Sequence, residues 1–277
     1  MKIAHVINPF TAKKTQDLYL AQPITFKTME TAQSFARGFG IEVELYAAYF
    51  PKDEAIVPES FIKTPPLERS MLDVVSSQHP APRKLPLLKD ILDRVFEATD
   101  ADYLVYTNAD IALMPFFYTF VTQQIEKKFD CFSINRRTIP KDYRGIVDIP
   151  MMYAEYGQNH PGHDCFIFPR NIYSQYKIFD ACIGVGGIGR VLLFNMICNA
   201  QKFKIFRNVH LTFHLGNDRT EGLSGYGGGN DYLYHNTYQL QQIVAHYQSI
   251  NKLSDHPIIQ KFLDSDRSTM KIPGYKY

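Results

Sequence analysis

Apolar positions recur along the chain at two spacings. Lys2–Ile7 is an almost unbroken apolar run stopped by Asn8-Pro9, which predicts a buried strand. Thr28 to Arg37 has helical spacing and is closed by Gly38 and Gly40. Residues 41–48 alternate apolar and acidic side chains, the pattern of a second strand. Four prolines between 51 and 66 predict a loop. Leu85, Leu88, Ile91, Leu92, Val95 and Phe96 then lie on one helical face. Tyr103–Tyr106 reads as a short buried strand, Pro115 as the start of a helix, and Asp130–Ile134 as another strand. Strand and helix thus alternate through the first half. That order predicts an α/β protein with a mostly parallel central sheet and helices on both faces.

The second half is less regular. Residues 140–162 are polar and turn-rich. Cys165–Phe168 and Lys204–Phe206 read as strands, and Gly189–Ala200 and Asp231–Ile250 as helices. Residues 215–230 hold six glycines and predict a loop, and the residues after 250 read as a tail. No repeat or low-complexity linker interrupts the chain. A single domain over 1–277 is expected, with a first half (1–135) and an irregular second half (136–277).

Composition narrows the classes. The chain has 277 residues, 45% hydrophobic and 21% charged, the ordinary balance of a globular protein. A net charge of +2 without a run of five like charges argues against a nucleic-acid partner. Four cysteines without a C-x-x-C pair read as buried thiols in a reducing compartment, so a cytoplasmic location is expected. The apolar start is too short for a signal peptide, and no stretch of 18 apolar residues predicts a transmembrane span.

The most informative segment is Tyr103-Leu104-Val105-Tyr106-Thr107-Asn108-Ala109-Asp110-Ile111, a buried strand ending in Asn-x-Asp. Ligands of open α/β sheets bind at the carboxyl ends of strands. A carboxylate there can hold Mg²⁺ or Mn²⁺, and the cation a diphosphate. The spacing alone fits equally well a turn that caps the following helix.

The string Tyr106-Thr107-Asn108-Ala109-Asp110-Ile111 resembles the Asp-x-Asp motif of GT-A glycosyltransferases in an Asn-x-Asp form, with Asn108 where many members have aspartate. The resemblance implies a Rossmann-like GT-A fold and Asp110 as ligand of Mn²⁺ or Mg²⁺. It implies that His5–Phe10 forms a nucleotide-binding loop with Asn8 at the donor, and that a cation ahead of the helix, Lys84, meets phosphate. It also implies that a late histidine, His214 in preference to His210, completes the metal site.

Other residues are candidates with plainer alternatives. Asp164, set between Gly162 and an apolar strand, suits a catalytic base taking the acceptor proton, and equally a turn residue. Arg136 and Arg137 end a strand, where they grip phosphate or form a solvated pair. His160 and His163 flank Pro161-Gly162, which excludes a helical metal motif. Gly184–Gly189 matches G-x-G-x-x-G, but it follows no buried strand and lies mid-chain, which argues against a dinucleotide site. The glycines after His214 suit a lid over the donor or a plain loop.

The sequence therefore points to an enzyme that moves a sugar from a nucleoside-diphosphate sugar to a hydroxyl-bearing acceptor. Asp110 and His214 would hold the metal, Asn8, Lys84, Asn108 and Arg136 the donor, and Asp164 would act as base. The alternative is a non-catalytic nucleotide- or sugar-binding protein on the same fold.

Overall fold

The computed structural model describes residues 1–74, 83–216 and 231–271, with the side chains of 231–233 excepted. The strands are β1 (Lys2–Ile7), β2 (Glu42–Ala47), β3 (Ile62–Lys63), β4 (Tyr103–Thr107), β5 (Ala112–Leu113), β6 (Cys131–Ile134), β7 (Arg137–Ile139), β8 (Gln158–Asn159), β9 (Cys165–Pro169), β10 (Phe203–Phe206) and β11 (Thr212–Leu215). The α-helices are α1 (Leu18–Arg37), α2 (Met71–Val74), α3 (Leu88–Ala98), α4 (Phe117–Glu126), α5 (Ile149–Ala154), α6 (Ile188–Asn199), α7 (Asp231–Ser249) and α8 (Pro257–Leu263).

The chain divides into two compact units, each discontinuous in sequence. One comprises Met1–Leu67, Ile91–Tyr173 and Gln201–Asp218; the other comprises Glu68–Asp90, Ser174–Ala200 and Arg219–Tyr277. The halves 1–135 and 136–277 do not coincide with these units, because strands from both sides of residue 135 share one sheet.

That sheet, in the first unit, has seven strands in the order β10-β6-β9-β4-β1-β2-β3. It is mostly parallel: β10 runs with β6, and β4, β1, β2 and β3 run together. Only β9 is antiparallel to its neighbours β4 and β6. Alternation along β1 explains the layering. Ile3, His5 and Ile7 point to the face covered by α1 and α4, where Phe26, Met29, Phe117 and Val121 complete a core. The opposite face is held to α3 by the Tyr46 hydroxyl donating to the Ala98 carbonyl and by Arg170 over the Phe96 ring. A second sheet, β5-β11-β7-β8, packs Ala112, Ile139, Phe213 and Leu215 against Ala21 and Ile24 of α1 and Ile149 and Met152 of α5.

The structure departs from the expected elements where they are short or sheltered. Helix α1 begins at Leu18, ahead of Pro23, because Ala21, Ile24 and Thr25 are buried and Gln22 brackets the backbone of Phe10 at both ends. The turn-rich stretch 140–162 contains α5 and β8, and the expected tail contains α8, whose first turn is capped by His256 accepting from the Ile258 amide. In the second unit, the Asn195 side chain bonds the Lys177 backbone at both donor and acceptor, and the Tyr247 hydroxyl donates to Asn195 Oδ1. Gly187 starts α6 with φ +91°, so the G-x-G-x-x-G match is a turn into a helix with no strand before it. All four cysteines are buried free thiols. Among the described residues no helix is long and apolar enough to cross a membrane.

His5 is completely buried between the Tyr118 hydroxyl (2.8 Å from Nδ1) and Thr107 Oγ1 (2.9 Å from Nε2), and burial pushes its pKa down to about 3. The native state therefore binds fewer protons than the unfolded chain below the ordinary histidine value. Stability present above about pH 6.5 is lost as pH falls toward 3, a contribution of roughly 4–5 kcal/mol over the whole window. Glutamine in place of His5 keeps two hydrogen bonds but takes up no proton. In denaturant unfolding, the stability difference between wild type and His5→Gln should fall by about 3 kcal/mol between pH 7 and pH 4; a difference constant with pH would contradict the buried neutral ring.

Candidate functional site

The parallel strands of the large sheet end on one edge, and that edge gathers the polar side chains. Asn8 follows β1, Asn108 and Asp110 follow β4, Asn135 and Arg136 follow β6, and Asp164 immediately precedes the antiparallel β9. Parallel strands deliver their carboxyl ends together, and an antiparallel strand between them delivers its start to the same place.

Asp110 meets His214 through strand pairing. Strand β5 begins two residues after Asp110 and pairs antiparallel with β11, Ala112 against Phe213 and Leu113 against Thr212. Continuing that register sets His214 beside the triplet, with Nε2 3.3 Å from Asp110 Oδ2. His214 Nδ1 lies 3.0 Å from the Gly216 carbonyl. A carbonyl only accepts, so Nδ1 carries the proton and Nε2 is turned to the carboxylate. A lone pair facing a carboxylate oxygen is repulsive, so a proton or a cation belongs between them. The other Asp110 oxygen, Oδ1, is buried with no hydrogen-bond partner among the described residues. Burial works to raise the Asp110 carboxyl, but His214, by hydrogen bond and charge, and then Arg136 outweigh it and hold it below the ordinary carboxylate value.

These features fit a divalent cation. One carboxylate with an unsatisfied oxygen and one imidazole anchored through its other nitrogen are a usual ligand pair with its outer support. Among the described residues no group of three or more His, Cys, Asp or Glu gathers to close a metal shell. Two protein donors leave the remaining positions to water and phosphate oxygens, as Mg²⁺ and Mn²⁺ sites on nucleotides require.

Beside this pair lies a second one. Arg136 Nη1 donates to Asp164 Oδ2 at 3.1 Å, with the arginine side chain 3% exposed and the aspartate 14%. Asn108 Nδ2 donates to Asp164 Oδ1 at 3.5 Å, and the Tyr106 hydroxyl donates to Asn108 Oδ1 at 3.1 Å. Asn135 donates to the His160 carbonyl, and His160 Nδ1 accepts from the Gly162 amide, which shapes the turn that leads into Asp164. Arg136 is thus buried against a carboxylate, and its neighbour Arg137 holds the Tyr156 and Gly157 carbonyls and Asn208.

Asn8 Nδ2 donates to the Ala48 carbonyl at 2.6 Å and so ties the ends of β1 and β2. Lys84 belongs to the second unit and is not among the residues the first unit brings together. There, Ser70's hydrogen bonds and, more weakly, Lys84 and Arg69 hold the Asp73 carboxyl low. The glycine-dense stretch 215–230 lies outside the described residues beyond Gly216.

Two participants were not signalled by the sequence. Asp53, in a 3₁₀ turn at Pro51–Ile56, is 1% exposed; Oδ1 accepts from the Thr11 amide at 2.8 Å, and Oδ2 is buried with no partner among the described residues. Its proline-rich surroundings read only as loop. Gly216 has φ +76°, and a Cβ there would collide with the Lys141 stem.

No family model matches the chain, and no curated protein matches it in sequence. Solved structures do match in fold. S. aureus TarS 1–349 in complex with UDP-GlcNAc superimposes with TM-score 0.56 at 10% identity, covering 95% of this chain and 72% of that one. The same fragment in complex with UDP gives 0.53 at 10% identity over 97% and 73%. A longer S. aureus TarS structure gives 0.53 at 10% identity over 95% of this chain and 43% of its own. The mixed seven-stranded sheet with its flanking helices is a GT-A-like glycosyltransferase fold.

Because Gly216 sets the carbonyl that orients His214, Gly216→Ala should cost about 1–3 kcal/mol in denaturant unfolding, from the positive φ and the clash. Adding Lys141→Ala should recover only the steric part. Full recovery, or no initial loss, would show that the turn does not depend on glycine.

Proposed function

We propose that this chain transfers a glycosyl group from a nucleoside-diphosphate sugar to a hydroxyl-bearing acceptor with the help of Mn²⁺ or Mg²⁺. The observation that carries this reading is the buried Asp110–His214 pair, with one carboxylate oxygen unsatisfied, at the strand ends of a GT-A-like sheet.

Asp110 and His214 would hold the cation, which when bound offsets the negative charge on a departing diphosphate. Asp53 would recognise the base. Its Oδ2, buried without a partner among the described residues, calls for a donor, and uracil and guanine carry a ring N–H where adenine and cytosine carry an acceptor. Uridine is our first choice, in line with the UDP and UDP-GlcNAc complexes of TarS. Asn8 would support this subsite by fixing the ends of β1 and β2. Asp164 would be the base: the bond from the sugar C1 to the diphosphate oxygen breaks, the bond from C1 to the acceptor oxygen forms, and the acceptor proton passes to the carboxylate. Arg136 would hold that carboxylate in place rather than grip phosphate, since its guanidinium is already bonded to Asp164.

Thermal melting tests the reading. At a hundredfold excess over Kd, UDP with Mn²⁺ should stabilise the protein by about 2.7 kcal/mol, a rise of roughly 5 °C. EDTA should abolish most of the rise, and Asp110→Asn should remove the metal dependence. ADP and CDP should shift the melt less than UDP, and Asp53→Asn should narrow that gap. A melt unmoved by every nucleoside diphosphate, with or without metal, would rule the donor site out.

A further inference from the structure

The first position of the triplet is asparagine, and its surroundings give a reason. The Tyr106 ring is buried and stacked against Phe166, which fixes the position of its hydroxyl. It donates to Asn108 Oδ1, which turns Asn108 Nδ2 toward Asp164 Oδ1. The flipped amide would set two acceptor oxygens face to face. Arg136 takes the other oxygen of Asp164, so each oxygen of that carboxylate has its own protein donor.

We propose that Asn108 is an amide because it faces the Asp164 carboxylate, and that it is a positioning residue for Asp164 rather than a contact of cation or donor. Aspartate at 108 would place two carboxylates about as close as the present 3.5 Å contact, beside an arginine already paired with one of them. The catalytic half of this inference rests on the reading of Asp164 as base; the pairing half does not.

A charge-swap cycle at pH 8 tests the pairing without turnover. Asn108→Asp should lower the melting temperature by roughly 4–8 °C, through like-charge repulsion at a part-buried site. Adding Asp164→Asn should restore most of that loss, since the amide and the carboxylate have only changed places. Additive losses in the double variant would overturn the pairing.

The positioning role is tested by donor hydrolysis with UDP-sugar and Mn²⁺. Asn108→Ala should lower kcat about tenfold or more with the donor KM within about twofold, as for a group acting only on the reacting carboxylate. A raised KM with kcat intact would place Asn108 on the donor and overturn the proposal. Wild-type protein that binds UDP but shows no turnover would count against Asp164 as base and remove the catalytic half, while the swap cycle still decides the pairing.

Discussion

The site depends on the pairing of two very short strands. Strand β5 has two residues and β11 four, and their antiparallel register is what sets His214 against Asp110. Neither is stable alone. Phe213, Leu215 and Ala112 bury themselves against α1 and α5, and this second core holds the pair closed. The large sheet supplies Asp110 at the end of β4, and the small sheet supplies its partner. A slip of one residue in β11 would turn His214 to the opposite face and put Phe213 or Leu215 in its place.

Polar groups collect on this edge because the backbone arrangement asks for them. The parallel strands end there, and the antiparallel β9 begins there. Each terminus offers side chains that are half sheltered and not committed to a ladder. The protein satisfies some of them internally: Asn8 closes the ends of β1 and β2, and Arg136, Asn108 and Tyr106 surround Asp164. Among the described residues, two carboxylate oxygens are buried without partners, Asp110 Oδ1 and Asp53 Oδ2. Leaving such groups unpaired costs stability, so ligands are the natural source of their missing partners.

What could be read in the sequence follows element length. β1, β2, β4 and β6 are buried runs bounded by turn residues, and each is found within a residue or two of its expected place. The Asn-x-Asp triplet was legible because a strand of one apolar run leads straight into it. β5, β7, β8 and β11 have two to four residues, too few to show a period, so the small sheet was invisible and His214 could be named only by resemblance. Asp53 was hidden for another reason. Its carboxylate accepts from the Thr11 amide, a contact between segments some 40 residues apart that no local pattern records. Arg136 was legible as a strand-end cation, but its Asp164 partner, just ahead of β9, is again a product of topology.

In the proposed site Asp110 and His214 share a divalent cation. Crystals grown with UDP and Mn²⁺ and measured at the manganese absorption edge test it directly. One anomalous peak bonded to Asp110 and to His214 Nε2 is expected, with the Nδ1 contact to the Gly216 carbonyl retained. UDP bound with no peak at that position, and the Asp110–His214 contact still closed, would contradict it.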